Sequence, residues 1–562
     1  MSSTIIIIIS SMMSMGCVCV MMLTKYIVPN TAPKESARSS CRTAGCAERR
    51  HGHRLRLAKR RGMCRAPPKI RLRDEPEDSP QGPQSEKIND HRPVRTELLA
   101  CLKLAFPLAC VNLLERVSLW ITWALIGRHG GADDLGPASL ASTVNNVLGL
   151  SVNIGLSFAV QTLASQAAGA GDARALGRTL QRALPVSVVF SLPVTALLLF
   201  LGPLLTALGR PTDFCARASS YALVILPVAA LTGAQRSMTA WLAALQITRP
   251  LLIINIALVP FHALLAWCLV YYTPMGYLGA GAATSIQAAL RVMLTYSYIR
   301  SSSRCKHAWP NGFQPSEAFS GWSAYLRLAL PGVLFMAEFW VGEFLVFTAA
   351  LLPSPAVGLS AFAVYQLTMG TCYQPPGGIR VAVSSRVGRF LGAADPIAAQ
   401  RTWHCGVMLV LMWMGLPTAV LLLATRSWAL IFTTDERVVA LLTKLVPWLV
   451  TYVGLDALLA VGSGAFTGCG RQGLGGRMAL LSYVAIGLPL ALALGFGTEL
   501  AVVGIAMGHT LGKLVMTLAT LTVVARTDWG EQSDKAIARV KQVLAEAPAA
   551  KEEEGEKRED SV

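Results

Sequence analysis

The sequence predicts an all-α polytopic membrane protein with twelve transmembrane helices in two parallel-repeat lobes of six helices each. Three observations support this fold class. Of the 562 residues, 53% are hydrophobic and only 15% are charged, which is a low charged fraction for a soluble protein. Apolar runs recur from Leu98 to Val524, and each is long enough to cross a ~30 Å hydrocarbon core as a helix. The third observation is an internal repeat at a spacing of about 223 residues.

The apolar runs are expected to be helices, because backbone groups in lipid must form hydrogen bonds within their own segment. In chain order the twelve runs are 98–127, 139–168, 180–208, 218–242, 251–271, 277–299, 324–352, 356–379, 405–425, 441–467, 477–497 and 500–525.

The repeat is clearest where two apolar hairpins close. Phe158–Asp172 ends the first hairpin with small residues and an aspartate, and Arg380–Asp395 ends the second in the same way. The same offset carries Glu115 onto Glu338. Six predicted spans separate equivalent points, and an even number preserves direction, so we expect parallel repeats about an axis along the membrane normal.

These patterns divide the chain into four parts. Residues 1–97 combine a hydrophobic N-terminal segment with a disordered basic cytosolic arm, 98–310 form the N-lobe, 311–527 form the C-lobe, and 528–562 form a charged cytosolic tail, solvated as helix or coil. No basic residue precedes the first apolar stretch, so residues 1–24 fit an N-outside anchor better than a cleaved leader. A targeting segment and a wrongly assigned start codon remain alternatives for these residues.

Charge gives the topology and excludes one class of partner. Most of the net charge of +18 lies in the basic arm, where no aromatic residues interleave with the basic ones, so we expect no nucleic-acid partner. Predicted outer loops at 273–276, 352–355 and 497–499 contain no lysine or arginine, whereas the predicted cytosolic loops are rich in arginine. This asymmetry places both ends of the twelve-span bundle, with the basic arm and the charged tail, in the cytosol.

The most specific motifs of the chain are Arg386–Ala393, Glu338–Val346 and Leu455–Gln472. Together they resemble the multidrug and toxic compound extrusion (MATE) family, especially its eukaryotic branch. Arg386–Ala393 is similar to the family's Arg-Val-x-Asn-x-Leu-Gly-Ala loop, with Arg389 in place of the asparagine. Glu338–Val346 resembles the seventh span, and Leu455–Gln472 resembles the tenth span with its following loop. The resemblance extends over about 98–524 and implies a V-shaped transporter with a central cavity.

Carboxylates inside the spans are the predicted coupling residues. An acid at the middle of a span costs roughly 2.5–3.5 kcal/mol on insertion scales, so such acids usually have a function. We predict that Glu338, Glu343 and Asp456 couple transport to protons or cations, because burial penalises a carboxylate that nothing neutralises. Glu338 and Glu343 are five residues apart and point about 140° away from each other on a straight helix. Either Gly342 lets the span deform, or one acid faces a neighbouring helix.

Polar and aromatic residues in the spans are candidates for the substrate cavity. The predicted set is Asn145, Asn146, Tyr365, Gln366 and Glu115. Tyr365 and Trp340 could stack on a flat organic cation, although packing is the commoner role of such rings. A structural ion pair with another span is an equal alternative for Glu115, whose neighbour is Arg116.

Together these features predict a secondary active antiporter that exports organic cations or other toxic or xenobiotic small molecules by alternating access. It would act as a multi-pass protein of the plasma or vacuolar membrane, with a plastid membrane also open. The drive would be a proton or sodium gradient without a cofactor. The partners would be a small organic substrate and the lipid bilayer, and we expect a monomer.

Three alternatives to cation export follow from the same sequence. A citrate-like organic-anion exporter of the same family would be favoured if Arg236, Arg291 or Arg380 faced the cavity. A lipid flippase of related architecture would need a more strongly charged cavity. Gly169–Asp172 matches the Gly-x-Gly-Asp of intramembrane aspartyl proteases, but its duplicate ends in Asp395 in the same setting. A repeated loop turn explains both copies better, so we expect no enzyme.

Overall fold

The computed structural model describes residues 93–309, 312–352 and 354–545, and no β-strand occurs in these ranges. The predicted all-α class is therefore confirmed for the described residues. The hydrophobic N-terminal segment, most of the basic arm and the end of the charged tail lie outside them.

Six long helices form the N-lobe. They are α1 (Val94–Gly131), α2 (Asp133–Ala170), α3 (Ala173–Leu199), α4 (Thr212–Ala244), α5 (Arg249–Tyr271) and α6 (Tyr277–Ser301). The break between α1 and α2 is at Gly131, whose φ of 59° is open to glycine because it lacks a Cβ. Residues from all six helices, including Val270 near the C-terminal end of α5, share one hydrophobic core. This core also includes Ile126 and Tyr221.

Six more long helices form the C-lobe. They are α7 (Trp322–Ala349), α8 (Pro355–Cys372 continued by Gln374–Gly392), α9 (Pro396–Leu423), α10 (Glu436–Cys469), α11 (Gln472–Phe496) and α12 (Val502–Ala525). A turn at Phe335–Met336 interrupts α7, so a new helical segment starts at Ala337 in the middle of the span.

Within the described residues, ten of these twelve helices are long and apolar enough to cross a membrane, and α6 and α8 are not among the ten. Both contain polar residues that point at protein rather than lipid, such as Gln287 and Arg291 in α6 and Arg380 and Arg386 in α8. Their hydropathy is low because one face of each helix carries polar residues toward other helices of the bundle. Their positions in the repeat still correspond to the predicted sixth and eighth spans.

The duplicated loop motif is a helix start in both lobes. The side chain of Asp172 accepts a hydrogen bond from the Ala175 amide at 2.9 Å, and Asp395 accepts one from the Ala398 amide at 2.9 Å. Each aspartate therefore caps the N-terminus of the third helix of its lobe, α3 or α9. This shared role explains the repeat without a protease site.

The lobes meet through small residues in the inner half of the bundle, meaning the half in which α1 begins and α2 ends. A Cβ on Gly155 in α2 would lie 2.5 Å from the Cα of Val333 in α7. Gly169 and Gly392 touch backbone of the opposite lobe in the same way. The glycines of the repeated motif thus let helix backbones of the two lobes approach closely.

A buried ion pair also joins the lobes on this side. Glu97 in α1 is 3% exposed and accepts hydrogen bonds from Arg386 of α8 at 2.6 and 2.5 Å. Thr402 of α9 donates a further bond to Glu97 at 2.7 Å. The inner half of α1 therefore packs into a hydrophobic core made largely by the C-lobe.

The charged tail begins with an amphipathic helix, α13 (Trp529–Ala545). Trp529, Ala536 and Val540 are buried on one face, and the helix packs against inner ends of both lobes, including α2, α3, α8 and α9. Arg539 donates a hydrogen bond to the carbonyl of Cys469 at 2.9 Å. The prediction of a solvated tail is therefore wrong for this helix, because its apolar face is spaced to cover the junction of the lobes.

Candidate functional site

A buried lysine joins two of the predicted coupling acids. Lys513 in α12 is 0% exposed, and its Nζ lies 2.7 Å from Oδ1 of Asp456 in α10 and also donates to Oε1 of Glu338 in α7. Three helices of the C-lobe thus meet at one ammonium group. Two carboxylates and one ammonium carry a net charge of −1 when all are ionised, so a single added proton makes the cluster neutral.

Local helix geometry places these groups together. Tyr452 and Asp456 are four residues apart on α10, as His509 and Lys513 are on α12, so each pair shares one helix face. Glu338 lies in the first turn of the α7 segment that starts after the interruption. A carboxylate is favoured there because the first amides of a helix carry partial positive charge.

Aromatic side chains enclose the cluster. The hydroxyl of Tyr452 donates to Glu338, and Lys513 Nζ lies 4.7 Å from the Tyr452 ring centroid and 5.6 Å from that of Tyr483. The ring of His509 packs on Tyr452 with centroids 4.9 Å apart. Cation–π contacts strengthen when the ammonium is desolvated. The Glu338 and Asp456 side chains remain 26% and 14% exposed, so water or a proton can still reach them.

Glu343 does not share this cluster. The α7 segment stays helical from Ala337 to Ala349, and the basic group that acts on Glu343 is Arg116 in α1 of the N-lobe. Of the two alternatives left open by the sequence, the structure supports the one in which an acid faces a neighbouring helix. The three predicted coupling acids therefore divide into a C-lobe pair and a single acid at the lobe interface.

The N-lobe contains its own charged cluster around Glu115. Its Oε2 lies 2.9 Å from Nη2 of Arg236 in α4, and its Oε1 lies 3.0 Å from Nη1 of Arg291 in α6. Glu115 is 20% exposed, Arg236 is 27% exposed and Arg291 is 15% exposed. The alternative of an ion pair between spans is thus confirmed for Glu115, in a position that still has access to water.

A third arginine approaches this cluster from the C-lobe. Arg380 of α8 lies over the ring of Phe158 in α2, with its guanidinium carbon 4.6 Å from the ring centroid, and donates to Gln161 Oε1 at 3.4 Å. Its charge is close enough to that of Arg236 for the two to repel each other. Arginines of opposite lobes therefore face one region.

The predicted aromatic residues have structural contacts. Tyr365 is 0% exposed and stacks on Phe362 with centroids 5.4 Å apart, so it belongs to the C-lobe core and offers no surface to a cavity in this conformation. The indole N–H of Trp340 donates to Ser151 Oγ at 2.9 Å and connects α7 with α2. Packing and hydrogen bonding between spans explain both rings, and stacking on a substrate is not needed.

The predicted amide residues differ in exposure. Asn145 is 6% exposed at the start of a π-helical turn, Asn145–Leu150, whereas Asn146 is half-buried. Gln366 is half-buried in α8, with its Nε2 3.0 Å from the point where Gly342 would carry a Cβ. Asn146 and Gln366 thus stay candidates for the cavity wall, and Asn145 is almost fully enclosed.

Lys513 is a candidate site residue that the sequence alone did not single out. Its signal was a single lysine inside the 24-residue apolar helix Val502–Ala525. A lone basic residue at such a depth is costly without a partner, as an acid is. A search for basic as well as acidic residues inside the spans would have found it.

A model of the MatE family matches residues 107–268 and again 331–493, at the spacing of the internal repeat, and the two matches cover more than half of the chain. The chain belongs to the MatE family. Protein DETOXIFICATION 16 of Arabidopsis thaliana is 31% identical over 454 residues, which cover 81% of this chain and 93% of that relative. Protein DETOXIFICATION 36 of the same plant is 30% identical over 460 residues, which cover 81% of this chain and 90% of that relative.

Solved structures support the same assignment for this MatE protein. The crystal structure of the eukaryotic MATE transporter AtDTX14 matches with a TM-score of 0.76 at 27% identity and covers 80% of this chain and 99% of that one. An outward-facing multidrug resistance MATE transporter shares the fold, with a TM-score of 0.69 at 16% identity over 80% of this chain and 96% of that one. The predicted eukaryotic MATE transporter, integral in a membrane and not an enzyme, is confirmed. It is a secondary active efflux transporter of small molecules.

Proposed function

We propose that this MatE protein is a proton-coupled antiporter whose coupling site is the Glu338–Lys513–Asp456 cluster. The observation that carries the proposal is the fully buried lysine that bridges two carboxylates from different helices. With all three groups ionised the cluster holds a net charge of −1, and burial of a net charge is costly. Uptake of one proton removes that cost, so closure of the lobe around the cluster favours the protonated form.

A proton fits this site better than sodium. The Lys513 ammonium already occupies the position between the carboxylates that a bound cation would take. Sodium would have to displace a desolvated lysine that also contacts the Tyr452 and Tyr483 rings. A proton needs no such displacement, because it binds to one carboxylate oxygen and loosens one of the two ion pairs.

The loosened ion pair connects proton uptake to movement of the helices. Lys513 ties α12 to both α7 and α10, so protonation of Glu338 or Asp456 weakens one of these connections. The lobes are in contact in their inner half, which the predicted topology places at the cytosol. This arrangement supports an outward-facing state, in which the partly exposed carboxylates receive protons from outside. A change in helix contacts within the C-lobe then biases the alternation between states.

Export of organic anions is a second candidate for the substrate class. Acids inside the spans favour a cationic substrate only where no basic group neutralises them, and Glu115, Glu338 and Asp456 all have basic partners. Only Glu343, among these four acids, has no basic group within ion-pair distance in the described structure. Arg236, Arg291 and Arg380 instead meet near the lobe interface, as the anion alternative requires.

Transport in proteoliposomes tests the coupling. Proteoliposomes that contain the wild-type protein would be loaded with citrate, 4-aminohippurate or tetraethylammonium. Efflux would then be measured under an imposed proton or sodium gradient. We expect the proton gradient to drive efflux, and Asp456→Asn and Glu338→Gln to abolish the drive while exchange without a gradient continues. Glu436→Gln is the matched control, since Glu436 is an exposed acid on the same helix as Asp456.

Two results would overturn the assignment. One is efflux driven by sodium and not by protons in the wild type. The other is an undiminished response to the proton gradient in both cluster variants.

A further inference from the structure

The two lobes hold equivalent charge clusters of opposite sign. The first helix of each lobe supplies a glutamate, Glu115 or Glu338, and these are related by the internal repeat. The sixth helix supplies a base, Arg291 in α6 or Lys513 in α12. The fourth helix supplies the third group, which is a base in the N-lobe and an acid in the C-lobe.

That single difference reverses the net charge. Arg236 in α4 pairs with Glu115, whereas Asp456 in α10 pairs with Lys513. With all groups ionised, the N-lobe cluster carries +1 and the C-lobe cluster carries −1. The C-lobe cluster is balanced by a cation such as a proton, and by the same reasoning the N-lobe cluster is balanced by an anion.

Two further arginines increase the positive charge beside the N-lobe cluster. Arg116 follows Glu115 on α1 and extends across to the C-lobe, with Nη2 3.7 Å from the point where Gly370 of α8 would carry a Cβ. Arg380 extends from α8 of the C-lobe to within interaction distance of Arg236. Neither Arg116 nor Arg380 has a carboxylate within ion-pair distance among the described residues.

The total charge of this region is positive. Arg116, Arg236 and Arg291 act on Glu115. Arg380 approaches Arg236 from the C-lobe, and Arg116 also acts on Glu343. With all ionised the six groups carry +2. Partly buried guanidinium groups that repel each other are costly unless an anion lies between them. The planar fork of arginine binds carboxylate, sulfate and phosphate groups through two parallel hydrogen bonds.

We propose that this arginine cluster, formed by Arg116, Arg236, Arg291 and Arg380, binds the anionic group of the transported solute, which is an organic carboxylate. The half-buried Tyr373, which contacts Arg380, supplies aromatic surface for the organic part of the solute. The cluster lies at the interface of the lobes, so a bound anion contacts both lobes. This inference rests on the proposed antiport and specifies its substrate class.

Exchange of an organic anion for a proton moves net charge across the membrane. When an anion leaves and a proton enters, both steps carry positive charge inward. An inside-negative potential therefore accelerates export. One-for-one exchange of a monovalent cation for a proton moves no net charge and shows no such acceleration.

Equilibrium binding to purified protein tests the site without any gradient. The probes are radiolabelled citrate and 4-aminohippurate as carboxylates, and tetraethylammonium as the cation. We expect wild type to bind a carboxylate probe, and Arg116→Gln and Arg380→Gln each to weaken that binding at least about tenfold, or 1.4 kcal/mol. Arg380→Lys keeps the charge and should bind more tightly than Arg380→Gln. Arg526→Gln, at an exposed arginine beyond the cavity, is the matched control.

The outcomes separate this inference from the proposed coupling. Carboxylate binding that both cavity substitutions leave unchanged would overturn the inference, as would binding of tetraethylammonium without either carboxylate. Each of these results leaves proton coupling at Asp456 intact, because coupling is measured under a gradient with C-lobe variants. Wild-type protein that binds the carboxylate normally but shows no efflux driven by a proton gradient would instead remove the proposed function alone.

Discussion

Replacement of Lys513 by methionine should destabilise the protein strongly at neutral pH and much less at acidic pH. The lysine is 0% exposed and neutralises part of the charge on two carboxylates from other helices. Methionine keeps most of the apolar stem but leaves Glu338 and Asp456 facing each other without a cation. Removal of one partner from a buried ion pair costs about 3–5 kcal/mol.

The magnitude should lie at the lower end of this range. The carboxylates are 26% and 14% exposed, so water partly solvates them after the lysine is removed. A loss of about 3 kcal/mol lowers the folding equilibrium constant roughly a hundredfold. In the variant, burial favours protonated carboxyls, so the folded state binds more protons than the unfolded state. Stability of Lys513→Met therefore rises as pH falls.

Thermal unfolding in detergent, followed by tryptophan fluorescence between about pH 8 and pH 5, measures this effect. Lys513→Met combined with Asp456→Asn should recover part of the loss, because one buried charge remains instead of two. Lys535→Met is the control, since Lys535 forms an exposed pair with Glu531 on α13 and such pairs contribute ~0.5 kcal/mol. An unchanged midpoint for Lys513→Met, or a midpoint that falls on acidification, would refute the reasoning.

Three further predictions concern the contacts between the lobes, each measured as a change in unfolding midpoint. Glu97→Gln leaves the buried Arg386 guanidinium without its counter-charge and should lower the free energy of unfolding by about 3 kcal/mol. The double variant Glu97→Gln with Arg386→Gln should lose less stability. Equal losses in the two variants would contradict the pairing. Gly155→Ala should push α2 from α7 and lower the midpoint, while Gly415→Ala, where no atom lies within 4 Å, should not. Trp340→Phe removes the indole hydrogen bond to Ser151 of α2 and should lower the free energy of unfolding by about 1 kcal/mol. A loss of stability as large as that of Gly155→Ala would indicate a larger packing role for the indole ring.

Much of the architecture followed from the sequence alone. Long apolar runs predicted helices, because lipid leaves the backbone no other partner, and the offset between Glu115 and Glu338 predicted two equivalent lobes. The duplicated loop predicted equivalent turns, which the Asp172 and Asp395 caps explain. Burial of the span acids was also predictable, since their depth in an apolar run is visible in one dimension.

Which charges meet was decided by the tertiary structure. Glu338 and Glu343 both lie inside the same apolar run of the sequence. In the folded protein Glu338 faces Lys513 of the C-lobe, whereas Glu343 faces Arg116 of the N-lobe. Lys513 is 175 residues from Glu338 and acquires its role only when α12 packs beside α7. Sequence determines which residues are costly to place in lipid, because that cost depends on the residue and its depth. Pairing depends on angles and distances between helices far apart in the chain, and only the packed bundle sets those.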